Sequence, residues 1–398
     1  MDETDTRSVA RQPAAPDQPP ILDEEYARLY GEPLSRALDL TTWQADPDPA
    51  GLYSRLTDEV RQALAHERAA QDLVRRDLFP HLASRPGAPP GAGVYRAPAA
   101  LLERIQRGLL FRGAVEAAAG VSVVYETVPL GVVQLGVCLV SYRGDQGIWV
   151  HRLFRRDLRA GGLQTLDDLL NLLETRARRG DLLGPTADRL SDLARKGILA
   201  YAERALLLGR STARWRIGQG SPVPYELLTG AGTAGLLEAS LPLLNQLLQD
   251  TRWVFVAHRT SDQVLLSLGA ALQPLEFAIV DTLTAPLQRI VAQGHYSRRH
   301  RPLLEEFVAR VGPAIIVGVY RAALPAPPAL FFAHRDRAEE AALIALADST
   351  LQEHRGFPLL LDLATAVCRA SLGAETWPDL VHLAYAEAGE PERYRPPV

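Results

Sequence analysis

Asp281 stands directly after the strand candidate 276–280, apolar from Phe277 on, and the ends of such strands are where α/β proteins place working side chains. An aspartate before a helix is also a common N-cap, its carboxylate accepting a backbone N–H, so the residue has two readings. The segment HYSRRHR at 295–301 gathers Arg298, Arg299 and Arg301 around Tyr296. That combination suits a phosphate backbone and a stacked base, and it equally suits a solvated loop. The group Arg152, Arg155, Arg156 and Arg159 carries the same two readings. GAGTAG at 230–235 lacks the terminal lysine of a phosphate loop and reads as a bend into the next helix. G-x-G-x-x-G after a strand, H-E-x-x-H and G-x-S-x-G are all missing. Cys138 and Cys368 each sit in an apolar stretch, which gives no zinc pattern and no disulfide framework and reads as two buried thiols in a reducing compartment.

The elements that must hold these residues follow from periodicity. Residues 1–20 are polar and proline-dotted, an expected disordered tail. Residues 21–115 read as a helical extension, with Leu52, Leu56, Val60 and Leu64 on one face. A proline- and glycine-rich stretch at 85–93 reads as a loop, and a helix is expected over 99–119. Residues 121–126, 132–142 and 148–154 are rich in β-branched side chains and separated by turn residues, a three-strand antiparallel meander. Strands at 214–217, 253–257, 276–280, 314–320 and 329–333 then alternate with helices at 166–178, 186–208, 234–249 and 261–272, and three helices close the chain. A meander followed by β-α-β elements gives an α/β fold with a mixed sheet, in the order of RNase H-like proteins, over residues 116–398.

Composition bounds the rest. The 398 residues are 47% hydrophobic, enough for a core of globular size, and no apolar run approaches the roughly 20 residues that span a bilayer. A cytoplasmic protein without membrane contact is expected. The net charge of −4 excludes a global basic footprint for nucleic acid. Lys196 is the one lysine and the other basic residues are arginines, which suit bidentate phosphate contacts.

Five stretches in order resemble the NurA nuclease family. They are VSVVYET at 121–127, YAER at 201–204 followed by IGQGSPVPYELL at 217–228, VFVAHRTS at 254–261, IVD at 279–281 with GHYS at 294–297, and GFPLLLDLAT at 356–365. Together they cover about residues 115–390. The resemblance implies an RNase H-like fold, a homodimer, a HerA-type hexameric ATPase as partner and DNA as substrate. It also implies a two-metal nuclease using Mn²⁺ or Mg²⁺, acting as a 5′-to-3′ exonuclease and single-strand endonuclease.

Carried over residue by residue, the ligand set is degenerate. The family's first aspartate falls at Tyr125 or Glu126, its helical glutamate at Glu203, its second aspartate at Gln219 and its histidine at Thr365. Arg259 stands where the family has a lysine and keeps the positive charge for a phosphate. Glutamine and threonine replace neither the charge nor the basicity of the residues a two-metal centre needs. Three readings stay open. The first is a non-catalytic relative that serves the ATPase or DNA. The second is an active nuclease rebuilt on Glu126, Glu203 and Asp281 or Asp362. The third is a scaffold unrelated to DNA.

Overall fold

The computed structural model describes residues 22–43, 49–127, 130–156, 193–258, 262–294, 296–373 and 376–391, with residues 167 and 170. The tail expected at 1–20 and the helix expected at 166–178 lie outside the described residues, apart from the two helical positions 167 and 170. The chain divides into two compact units, one up to Glu67 and one from Arg68 onward. The expected boundary at 115/116 therefore does not coincide with this division.

The first unit is helical: α1 (Asp23–Tyr30), α2 (Leu34–Leu38) and most of α3 (Pro49–Leu73). Leu52, Leu56, Val60 and Leu64 do line one face of α3, as their spacing of four dictates, and they are exposed.

The second unit is built on one nine-stranded sheet in the order β1-β7-β8-β9-β6-β5-β2-β3-β4. The strands are β1 (Gly93–Arg96), β2 (Val115–Glu126), β3 (Leu130–Ser141), β4 (Gly144–Arg156), β5 (Trp215–Gln219), β6 (Trp253–Ala257), β7 (Glu276–Thr282), β8 (Ile315–Arg321) and β9 (Ala329–His334). β2, β3 and β4 form the expected antiparallel meander. β5 pairs parallel to β2 and β6 parallel to β5, so these five strands take the RNase H-like order. The last strand, β9, lies inside the sheet, antiparallel to both β8 and β6.

The helices of this unit that are described in full are α4 (Ala99–Ile105), α5 (Leu199–Gly209), α6 (Tyr225–Leu228), α7 (Ala234–Gln249), α8 (Gln263–Ala271), α9 (Thr284–Gln293), α10 (His300–Val311), α11 (Ala338–Ser349), α12 (Leu359–Ser371) and α13 (Trp377–Glu387). Two apolar cores cover the two sides of the meander. One holds Ala119, Val121 and Cys138 with Leu361, Ala364 and Cys368 of α12. The other holds Ala118, Val137 and Leu139 with Ala200 and Leu207 of α5. Alternate residues of β2 and β3 thus face opposite helices, as a strand's period of two requires. Cys138 and Cys368 are both buried free thiols.

Three local expectations are corrected. Residues 115–119 belong to β2 rather than to a helix. Their alanines favour helix intrinsically, but pairing with β3 and β5 and burial on both faces override that propensity. Gly93–Arg96 is an edge strand on β7, where a helical extension was read. α10 begins inside the basic segment 295–301, where no helix was read, whereas α9 follows Asp281 as the N-cap reading supposed. No helix among the described residues is long and apolar enough to cross a membrane.

Candidate functional site

β5 and β6 run parallel and end together, and α12 faces their ends. Between them lies a cleft of about 1090 Å³ whose lining includes Gln219 and His258 from the strand ends, Arg355 from the preceding turn, and Asp362, Thr365 and Arg369 from α12. The last three recur at helical spacing, so one face of α12 points into the cleft while Leu361, Ala364 and Cys368 enter the core. The helix sits close because β3 carries Gly136 beneath it. A Cβ there would stand 2.8 Å from Cys368 Sγ.

Inside the cleft, Asp362 Oδ1 lies 3.1 Å from Arg355 Nη2, and Asp362 Oδ2 accepts from Gln352 Nε2 at 3.0 Å. Thr365 turns its hydroxyl back to Leu361 O at 2.9 Å. The exposed His258 ring packs edge-on against buried Phe357, with centroids 5.4 Å apart. Arg369 is exposed and makes no ion pair among the described residues.

Behind the strand ends, α5 brings Glu203 and Arg204 against the sheet. Glu203 Oε1 accepts from the Gly120 backbone N–H at 2.9 Å, and Oε2 accepts from Arg204 Nη1 at 2.6 Å. Arg204 is 2% exposed. It also donates to Ala200 O at 3.3 Å, to Gln219 O at 3.0 Å and to Ser221 O at 2.6 Å, and it lies 5.3 Å over the Phe255 ring. Gly120 is required for this contact, because a Cβ would stand 2.6 Å from Leu199 Cδ1 and 3.0 Å from Glu203 Oε1. Burial pushes the Glu203 carboxyl above its usual range, while the Arg204 charge and the Gly120 N–H pull the other way.

The residues expected from sequence separate into two groups. Gln219 and Thr365 do meet across the cleft, and Glu203 is tied to Gln219 through Arg204. Glu126 pairs with Gly131 at the far end of β2, six residues beyond Gly120, roughly 20 Å along the strand. Tyr125 is partly buried opposite Val132. Asp281 is on β7, five strand steps from β2, about 24 Å across the sheet. It is paired with Arg85 at 2.9 Å and accepts from Thr282 N at 2.7 Å. The helix after it starts at Thr284 with Leu283 at the N-cap, so Asp281 caps nothing.

The structure therefore does not gather Glu126, Glu203 and Asp281. Among the described residues no group of three or more His, Cys, Asp or Glu could hold a metal ion. Arg259 lies outside the described residues. Arg298 and Arg299 precede α10 and Arg301 is within it; Arg301 donates to Gly294 O at 3.2 Å and lies 3.9 Å from Glu305. Sequence reasoning missed Arg204, Arg355, Arg369 and Gly120. The Glu203–Arg204 neighbours looked like a surface pair, and only the packing of α5 shows otherwise.

The solved structures the chain is similar to include NurA nucleases. The NurA nuclease from Sulfolobus solfataricus shares 8% identity at a TM-score of 0.45 over 84% of this chain and 98% of that one. A NurA structure with manganese shares 9% at 0.40, over 81% and 97%. Ciona intestinalis endonuclease V, bound to a 24mer DNA containing an inosine, shares 12% at 0.26, over 65% and 85%. No protein-family model matches the chain, and no curated protein matches it. What the protein does has to be read from its own residues.

Proposed function

We propose that the protein is a NurA-like DNA-processing protein that binds nucleic acid in the cleft beside β5 and β6, with its metal-dependent nuclease activity lost. It would act in the cytoplasm as a homodimer with a HerA-type hexameric ATPase. One observation carries the loss of activity. Glu203 is tied to the end of β5 through Arg204, and both of its oxygens are already engaged by Gly120 and Arg204. A two-metal centre needs several carboxylates around ions about 3.5–4 Å apart. Here the cleft offers Gln219 and Thr365, and the one acid among its described residues, Asp362, is paired with Arg355. This donor set does not fit Mn²⁺ or Mg²⁺.

The active reading, with a site rebuilt on Glu126, Glu203 and Asp281, is weakened by their spacing along and across the sheet. The two readings part in one assay. Linear single- and double-stranded DNA are incubated with the protein, Mn²⁺ or Mg²⁺, and the cognate ATPase, beside Glu203→Ala. The expected result is no metal-dependent degradation, with retained association with DNA and the ATPase. Degradation that Glu203→Ala abolishes would overturn the proposal. A chain that binds neither DNA nor the ATPase would favour the unrelated scaffold.

A further inference from the structure

The arginines that line and underlie the cleft have a chemistry of their own. Arg204 neutralises Glu203 from within the fold, so this buried pair contributes no net charge to the cleft above it. Of the described residues lining the cleft, Arg355 and Arg369 are cationic and only Asp362 is acidic. Asp362 is held by Gln352 as well as by Arg355, so it keeps a partner if Arg355 turns to another anion. The exposed His258 ring, anchored on buried Phe357, offers an aromatic edge or face beside the two guanidinium groups. Guanidinium forks match phosphate oxygens in pairs, and an aromatic ring accepts any base by stacking. At about 1090 Å³ the cleft is at the large end for a small ligand, which suits a short piece of a strand.

We propose that Arg204 is a resident cation, and that the cleft holds the phosphodiester groups of a single nucleic-acid strand directly on Arg369 and Arg355 without a divalent ion. The inference rests on the nucleic-acid-binding reading above and goes beyond it in naming the contacts and their independence from metal. It also assigns Arg204 a role in which its charge stays inside the fold while the two cleft arginines meet the ligand.

The test is fluorescence anisotropy of a labelled ten-residue oligothymidylate with the full chain, in EDTA and then in MnCl₂, across a salt series. Equal affinity within about two-fold in both buffers is expected, and Arg369→Gln should lower the log–log salt slope by about 0.7, the value for one phosphate of a single strand. Arg355→Gln should weaken binding in the same way. Arg107→Gln, on the exposed turn after α4, should leave it unchanged. All three residues are exposed, so circular dichroism should match the wild type. Binding that appears only with Mn²⁺ overturns the metal-free contact and leaves the nucleic-acid reading standing. Binding in EDTA that neither cleft variant changes overturns the assigned residues. No binding in either buffer removes both the inference and the nucleic-acid reading.

Discussion

Glu203 and Asp348 are both carboxylates taken out of water, and the fold treats them differently. Glu203 is given a counter-ion: Arg204 lies beside it, and the Gly120 amide completes its hydrogen bonds. Asp348, at the end of α11, is fully buried and has only neutral partners in its hydrogen bonds, the Tyr142 hydroxyl at 2.5 Å and the Leu360 N–H at 3.0 Å. Burial pushes its carboxyl up to about 7, against the pull of those two donors, and the Asp362 charge adds to the rise. The first device sets a cation and an amide against the buried acid, although burial still holds its carboxyl above the usual range. The second lets the acid take up a proton, and it fastens the start of α12 to the turn between β3 and β4. The acid beside the cleft therefore comes with its own cation, while the acid beneath α12 is tuned by protonation.

Removing the counter-ion should break this contrast most strongly. Arg204→Met keeps much of the packing on Phe255 but leaves Glu203 without its counter-ion and takes a donor from the carbonyls of Ala200, Gln219 and Ser221. A loss of about 3–5 kcal/mol in urea unfolding at pH 7 is expected. Replacing Glu203 by leucine as well should recover part of it, because no buried charge then remains. A single variant as stable as the wild type would show that Glu203 is not held in this way.

The Asp348 side of the contrast is read by pH. Its folded value, about 7, lies above the 3.8 of the free side chain, so the folded state binds more protons between these limits. Its stabilising contribution is complete below about pH 4 and is lost as the pH rises through 7, by up to about 4 kcal/mol. Unfolding of the wild type at several pH values between 4.5 and 7.5 should show this fall, and Asp348→Asn should lack it. Parallel curves for the two proteins would mean that Asp348 keeps its charge. Tyr142→Phe removes one donor from the same carboxyl and should lower stability by about 1–3 kcal/mol in thermal unfolding. The smallest change, Gly120→Ala, crowds Leu199 and Glu203 together, and about 1–3 kcal/mol is expected from overpacking alone. If Gly120→Ala is neutral by calorimetry, α5 can move away from β2 and the Glu203 pocket is looser than its distances suggest.

The architecture was largely legible where one property dominated. β6 and α7 match the residues expected for them, because an unbroken β-rich apolar run and an amphipathic helix after Thr233 are local signals. Thr233 does cap α7, accepting from Leu236 N. β2 was cut short because Ala117, Ala118 and Ala119 carry a helix signal that only their two strand neighbours overrule. β1 is four residues long and exists through β7, so its own sequence hardly marks it. In the site, Gln219 and Thr365 were located through resemblance and do share the cleft. Glu126 was also placed through resemblance, yet it sits at the far end of β2. Asp281 was chosen for lying at a strand end, a property that says nothing about which end of the sheet or how many strands away. Arg204 was hidden for another reason. Adjacent residues on a helix normally diverge, and this pair meets only because both side chains are pressed against the strands.

The position of β9 has a consequence for how the chain is made. It is the last of the nine described strands to be synthesised, yet it closes the gap between β6 and β8. Until residue 334 has been synthesised, β6 and β8 each present an open edge, and both carry apolar side chains. Unpaired edges of this kind are templates for association with other chains. A nascent or prematurely terminated product is thus a sticky molecule with two faces to seal, and sealing them waits on one six-residue segment.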